Sequence, residues 1–386
     1  MMRGWLVCCI ALLGILVACS DGMRKGNGDV MSWPLFRGNA KLSGYTFLSL
    51  PDRVDLLWTY KTATRTVSSP VVKSGVTYWC DKKGRIHGVD LEGKSVFEFD
   101  MDTNVEATPM IDDSVLYIGR IDGYLTAISL SKGDSLWNFE TLGQISASPN
   151  VTDFKGTRAV VVGSYDNYLY CLDTANGQEL NRFESGYYIN GAVALWKKHV
   201  IFGGCDSWLR MVDCETGALK DSILLDAYIP ASPACFGQYC YVGDYSGNIY
   251  EIELSAEQGF LNSRKLLKSD EENSSFVSVP AVDSGNIYVL SGDRYLYAIN
   301  RVDGEKLWRY LLKGQVGESS PVVCDGKVLI CTKTGIVSIL DAATGELLWE
   351  YDTGEQIIGS PAVIKDHFLV LSSKGTLFCF GKGKKK

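Results

Sequence analysis

Hydrophobic positions in this chain come in short runs broken by glycine, aspartate and threonine, and the stretch from Pro321 to Tyr351 shows the pattern most clearly. Pro321-Val322-Val323 is followed by Asp325-Gly326, Val328-Leu329-Ile330 by Thr334-Gly335, and the run Ile336 to Leu340 by Asp341-Ala342-Ala343-Thr344-Gly345. Leu347-Leu348-Trp349-Glu350-Tyr351 closes the unit. Apolar runs this short, separated by turn-forming residues, predict four strands joined by three tight turns, an antiparallel meander.

The same order returns along the chain. A small residue precedes proline at Ser69-Pro70, Thr108-Pro109, Ser148-Pro149, Ser232-Pro233, Ser320-Pro321 and Ser360-Pro361, with Val279-Pro280 a looser copy and Gly191-Ala192 in the remaining place. Anchors at 70, 109, 149, 192, 233, 280, 321 and 361 lie 39, 40, 43, 41, 47, 41 and 40 residues apart. Eight such units predict an all-β fold, an eight-bladed β-propeller of four-stranded antiparallel blades over residues 33–381. The last unit, Pro361 to Phe380, holds three strand patterns, whereas Val54 to Tyr60, with Trp58, reads as a fourth strand placed ahead of the first unit. An N-terminal strand is therefore expected to complete the eighth blade and remove an open sheet edge. The polar stretch from Ser255 to Phe276, which lengthens the fifth unit, is expected to protrude as a connection.

Each recurring residue has a physical reason. The small residue before proline suits the crowded axis, and proline is tolerated as the first residue of a strand because it can forgo a ladder donor there. In the turn Asp341 to Gly345, and in Asp173–Gly177, Asp213–Gly217 and Asn300–Gly304, the first side chain accepts backbone N–H groups and the glycine reaches positive φ. Trp137, Trp308 and Trp349 follow such a glycine by four residues and offer a flat face for the next blade. Phe97, Asn181 and Asp221 take that place in other units, where looser docking is expected.

Ahead of the repeats stands a targeting segment. Arg3 and the apolar run Trp5 to Val17, too short for a comfortable membrane span, lead to Leu16-Val17-Ala18-Cys19, which resembles a lipobox. Residues 1–18 are expected to be a cleaved lipoprotein signal peptide, Cys19 the lipidated first residue, residues 19–32 a polar tether and 382–386 a basic tail. Two or three acyl chains, at about 0.8 kcal/mol per buried methylene, hold a protein on a bilayer firmly. Nine cysteines remain after Cys8, Cys9 and Cys19, so they cannot all pair. Most fall in strand patterns and read as buried free thiols. The exception is a turn at Gly237-Gln238 that sets Cys235 opposite Cys240, where non-hydrogen-bonded partners approach to about 4.5 Å between Cα atoms, within disulfide range.

Ala298-Ile299-Asn300, Gly304 to Trp308 and the copy from Asp341 to Trp349 resemble the tryptophan-docking repeats of pyrroloquinoline-quinone-type propellers, and Trp33-Pro34-Leu35-Phe36-Arg37-Gly38-Asn39 resembles the segment that leads into them. Two branches of that fold differ in function. The quinoprotein dehydrogenases hold quinone and calcium at the centre under an adjacent-cysteine disulfide; here the adjacent pair, Cys8-Cys9, lies in the signal, and no calcium ligand or catalytic aspartate can be matched. The barrel-assembly lipoproteins of the BamB type are similar in size and lipidation. That resemblance implies a monomer in the cell envelope, anchored to the outer membrane of a Gram-negative bacterium and bound to a protein partner in β-barrel assembly.

Chemistry and charge point the same way. The three histidines, His87, His199 and His367, are far apart, no metal-ligand spacing, nucleophile elbow or phosphate loop is present, and the aspartates occupy turns. No catalytic, metal or cofactor-binding residue is assigned. A net charge of −7 argues against nucleic acid. Connections between blades share a face with the turns between second and third strands, and units three to five place Tyr165, Tyr187, Tyr188, Trp208, Tyr228 and Tyr245 there, interspersed with Asp166, Asn167, Asn190, Asp206 and Asp244. Aromatics rimmed by polar groups are enriched at recognition surfaces, so these six are the expected partner site. A carbohydrate- or ligand-binding surface would use the same residue types.

Overall fold

The computed structural model describes residues 30–268 and 275–383. The signal peptide, Cys19 and most of the tether, as well as residues 384–386, lie outside them. Eight sheets stand around one axis, each with four strands of the repeat hydrogen-bonded in sequence order, and the seventh carries the short Tyr45–Thr46 strand on its inner edge. The inner strands are two to five residues long, as in Val71–Lys73 and Val322–Cys324. The second and third strands carry the core: Lys327–Cys331 and Ile336–Asp341 bury nearly every side chain, whereas the outer strand Leu347–Asp352 is half solvated. Closure is as the sequence predicts. The strand Asp55–Lys61 pairs antiparallel with Thr376–Gly381 and becomes the outer strand of blade 8.

Adjacent blades are joined by one repeated contact. The Nε1 of Trp58 donates to the carbonyl of Leu91 at 2.7 Å, that of Trp137 to Thr174 at 3.0 Å and that of Trp308 to Ala342 at 3.1 Å. Every acceptor follows the aspartate of the next blade's last turn. A bulge in the outer strand, between Leu56 and Trp58 or Ser135 and Trp137, aims the ring. The indole then lies on the turn glycine: a Cβ added to Gly177 or Gly345 would meet the ring at 2.6 Å, so glycine there answers both to positive φ and to the tryptophan.

At two seams without tryptophan, a polar side chain reaches the same carbonyl. Asn181 Nδ2 donates to Cys214 O at 2.7 Å, and Arg264 Nη2 to Arg301 O at 2.8 Å. Asp221 instead accepts from the N–H of Phe260 at 2.7 Å. These seams give up apolar area but keep a hydrogen bond. A second set of inter-blade bonds rings the axis. The N–H of Ser69 donates to Thr108 Oγ1, that of Val279 to Ser320 Oγ, that of Ser320 to Ser360 Oγ and that of Ser360 to Ser69 Oγ, all at 2.9–3.0 Å. The hydroxyl before proline therefore serves as an acceptor for the neighbouring blade as well as keeping the axis narrow.

The segment from Val30 to Ser49 closes one end of the ring, with contacts starting just ahead of the expected propeller boundary. Trp33 exchanges two backbone bonds with Val72, and Ile111 N donates to Pro34 O; Asn150 Nδ2 and Leu195 N both reach Ala40 O. Cys235 N donates to Lys41 O, Val282 N to Ser43 O, Val323 N to Gly44 O and Lys365 N to Val30 O. All eight blades are visited. Arg37 is buried in this strap and donates to the carbonyls of Pro321 and Pro280; burial lowers its pKa to about 9, which leaves it a cation at neutral pH. Gly44 makes room for it, since a Cβ there would sit 1.8 Å from Arg37 Nη2.

Two expectations meet corrections. The stretch expected to protrude, Ser255 to Phe276, is a paired strand over the part described up to Lys268. Asn248–Ser255 and Gly259–Lys268 form a lengthened hairpin, so most of its polar residues belong to a strand with a solvated outer edge, while residues 269–274 lie outside the described ones. Cys235 does pair with Cys240 across its hairpin, and with the Cys235 N–H turned toward Lys41 O the pair is non-hydrogen-bonded. The bridge considered for them is not formed in this structure. Both are buried free thiols, and burial raises the Cys240 thiol well above its ordinary range.

The seam chemistry predicts graded losses. Trp137→Ala should cost about 2–3 kcal/mol, as expected for a half-buried large aromatic, and Asn181→Ala about 1 kcal/mol, each read as a lower urea midpoint at unchanged slope. Blade 8 adds a pH signature. Burial opposes ionisation of Glu355, but hydrogen bonds from Ser372 at 2.6 Å and Lys61 at 2.9 Å outweigh it and hold the carboxyl at about 2. Because its folded pKa is depressed, its stabilisation is present above its ordinary value of 4.5 and is lost as pH falls toward 2. Glu355→Gln should be less stable than the parent by on the order of 1–2 kcal/mol at neutral pH, allowing for solvent screening. Urea titrations should show that gap closing as pH falls from 4.5 to about 2.

Candidate partner-binding face

The strap occupies the end of the ring that holds the first-to-second strand turns. At the opposite end, the second-to-third strand turns are tied to the connections between blades: Tyr165 N donates to Gln144 O and Tyr245 N to Tyr228 O, both at 3.0 Å, and Ile189 N to Ser164 O at 3.2 Å. These bonds hold the aromatic side chains of two different loop types at one level. On the axis lies an open funnel of about 460 Å³ walled by small residues including Ser69, Thr108, Ser148 and Ser360, with Glu106, Glu318 and Lys333 among its lining and Phe36 of the strap reaching it from the closed end.

Five of the six sequence-predicted aromatics come together in two stacks. Tyr165 and Tyr188 lie nearly parallel with ring centroids 5.3 Å apart, and Tyr187 packs on Tyr188 at 4.8 Å. Tyr228 and Tyr245 stack at 4.4 Å and 22°. Tyr188 and Tyr245 keep 46% and 50% of their surface exposed, so these rings present their faces to solvent. Trp208 is half-buried and belongs to neither stack.

The acidic residues of this face are committed elsewhere. Asp244 is fully buried and accepts from Asn248 N at 2.8 Å, Asn248 Nδ2 at 2.7 Å and the Tyr250 hydroxyl at 3.0 Å; burial, and behind it the Asp244 carboxylate, push the Tyr250 hydroxyl well above its ordinary pKa. Asp166 accepts from Leu142 N, Tyr168 N and the Tyr170 hydroxyl, and Asp206 is paired with Arg210. The expected polar rim is thus a set of turn-holding carboxylates. One residue escaped the sequence reading. Leu142, on the connection between blades 2 and 3, is 95% exposed and is held beside Tyr165 by its N–H bond to Asp166 at 3.0 Å. A leucine between Thr141 and Gly143 was the available signal, but nothing in the chain order links it to Tyr165.

The histidines offer no joint chemistry. His87 Nε2 lies 3.1 Å from Asp81 Oδ2 in blade 1 with its ring stacked on Trp79; His199 is buried in blade 4, and His367 Nδ1 faces Lys365 O in blade 8. Among the described residues no three His, Cys, Asp or Glu side chains are grouped to hold a metal ion.

Known proteins place this geometry. The outer membrane protein assembly factor BamB of Yersinia pestis is 30% identical over 295 residues, covering 73% of this chain and 72% of that protein. A quinohemoprotein alcohol dehydrogenase of Comamonas testosteroni is 29% identical over 198 residues, but this covers 44% of the chain and 27% of the enzyme. The crystal structure of BamB from Moraxella catarrhalis superposes with a TM-score of 0.72 at 20% identity, over 86% of this chain and 99% of that one, a likeness of fold. The family model of outer membrane protein assembly factor BamB matches residues 52–187 and 195–381, nearly the whole ring, and the chain belongs to that family.

Proposed function

We propose that this chain is a non-catalytic propeller scaffold, lipid-anchored at Cys19, that captures a protein partner in outer-membrane β-barrel assembly through Leu142, Tyr165, Tyr187, Tyr188, Tyr228 and Tyr245, with Trp208 at the margin. The carrying observation is the pair of exposed tyrosine stacks on the face opposite the strap. Such rings present a large rigid area at low entropic cost, and burying them releases water from apolar surface that the monomer leaves uncovered. Membership in the BamB family supports the choice of partner class, and the lipobox supports the envelope location. A glycan ligand would also stack on tyrosine, but it requires free acceptors, and the carboxylates of this face already hold turns.

Replacing both Tyr188 and Tyr245 by alanine should weaken partner capture by at least about thirtyfold, taking about 1–2 kcal/mol for each exposed anchor, with the urea midpoint unchanged. Affinity purification from gently solubilised membranes should recover barrel-assembly components with the parent chain and lose them with the variant; saturable glycan binding in their place would favour the sugar reading. Adding quinone and calcium should give neither an absorbance change nor dye reduction, and turnover in that assay would overturn the non-catalytic assignment.

A further inference from the structure

The point where the chain enters the ring also orients it. Val30 is pinned by the bond from Lys365 N at the first turn of blade 8, on the strap end of the propeller. The chain leaves the ring at the same corner, since Gly381 is in register with both Asp55 and His367 and is followed by Lys382. Between blades 7 and 8 the strap turns outward: Thr46 is in register with Cys324 and Asp366 N donates to Ser49 O at 3.1 Å, and at this turn Phe47 stands 61% exposed between half-buried Thr46 and buried Leu48. Most of this large aromatic's surface is therefore left in water. Lys365, Lys382 and Arg53 are exposed at the same corner, while the nearby acids Asp52, Asp55 and Asp366 lie against Lys327, Arg53 and Ser49.

We propose that the strap end, led by Phe47 with Lys365 and Lys382 beside it, rests on the lipid bilayer, so that the tyrosine face is turned away from the membrane. This rests on the reading of Cys19 as the anchored residue. The stretch from Cys19 to Val30 can extend at most about 40 Å, so the anchor holds the strap end near the surface. An aromatic ring flanked by lysines suits the interfacial layer, where the ring enters the acyl boundary and the ammonium groups meet lipid phosphates. The partner surface then faces the aqueous side at full height, free of competition from lipid.

The test uses the full lipidated chain with Cys205→Ser on phosphatidylethanolamine–phosphatidylglycerol vesicles that carry headgroup energy acceptors. One donor fluorophore is placed at Phe47→Cys or at Leu142→Cys. Quenching should be at least twofold stronger at position 47, and an environment-sensitive dye there should shift to the blue on vesicle binding while one at 142 does not. Equal quenching at the two positions, or stronger quenching at 142, would overturn the orientation. Mass analysis of Cys19 separates this from the anchoring proposal. If no acyl chain is found, anchoring fails on its own, and the same chain coupled through Cys19 to a maleimide lipid still decides the orientation by the same ratio.

Discussion

Eight short sheets that meet at an axis each present an inner edge of N–H and C=O groups that no further strand of their own blade can pair. Leaving such groups unpaired costs on the order of 1–3 kcal/mol each, so the architecture depends on covering those edges. The strap from Val30 to Ser49 does so at one end by giving a backbone carbonyl to nearly every blade in turn, and the serine and threonine hydroxyls do so at the other by accepting a neighbour's N–H. Arg37 extends the solution to the carbonyls of Pro280 and Pro321, where a guanidinium supplies several donors at once.

That constraint sets the polarity of the whole molecule. Once one end is sealed by the chain's own N-terminal segment, the open end, around the funnel, is left to the loops that carry the tyrosine stacks. The same segment fixes that the polypeptide enters at the end opposite the tyrosine stacks. The seams between blades are a separate problem with a separate answer. Tryptophan supplies area and a hydrogen bond together at three of them; Asn181 and Arg264 retain the bond to the same carbonyl with less apolar contact. A carbonyl in a fixed place can be met by different donors, which lets the repeat drift in sequence while the ring stays closed.

The recognition face is built on the same economy of turns. Asp166, Asp206 and Asp244 shape the loops and leave the exposed surface to aromatic rings and Leu142. Surface of that kind is selective for shape and apolar area. It differs in kind from the funnel beside it, whose wall is ringed by small hydroxylated side chains.

Period and residue type alone determined the eight blades, their four strands, the closing strand around Trp58 and the loop face that carries the tyrosines, because each of these follows from local alternation and turn chemistry repeated within one chain. The pairing of Cys235 with Cys240 followed from a two-residue turn in the same way. The tertiary structure decided what depends on groups distant along the chain. The strap could not be read from Trp33 to Gly44, since its partners are single backbone groups spread over blades that lie up to hundreds of residues away. Nor could the buried state of Asp244 or the place of Leu142 beside Tyr165, which are set by hydrogen bonds between loops rather than by any pattern along one of them. The stretch from Ser255 to Lys268 marks the boundary between the two: its polarity suggested a loop, but pairing with Asn248–Ser255 supplied the backbone partners that made it a strand.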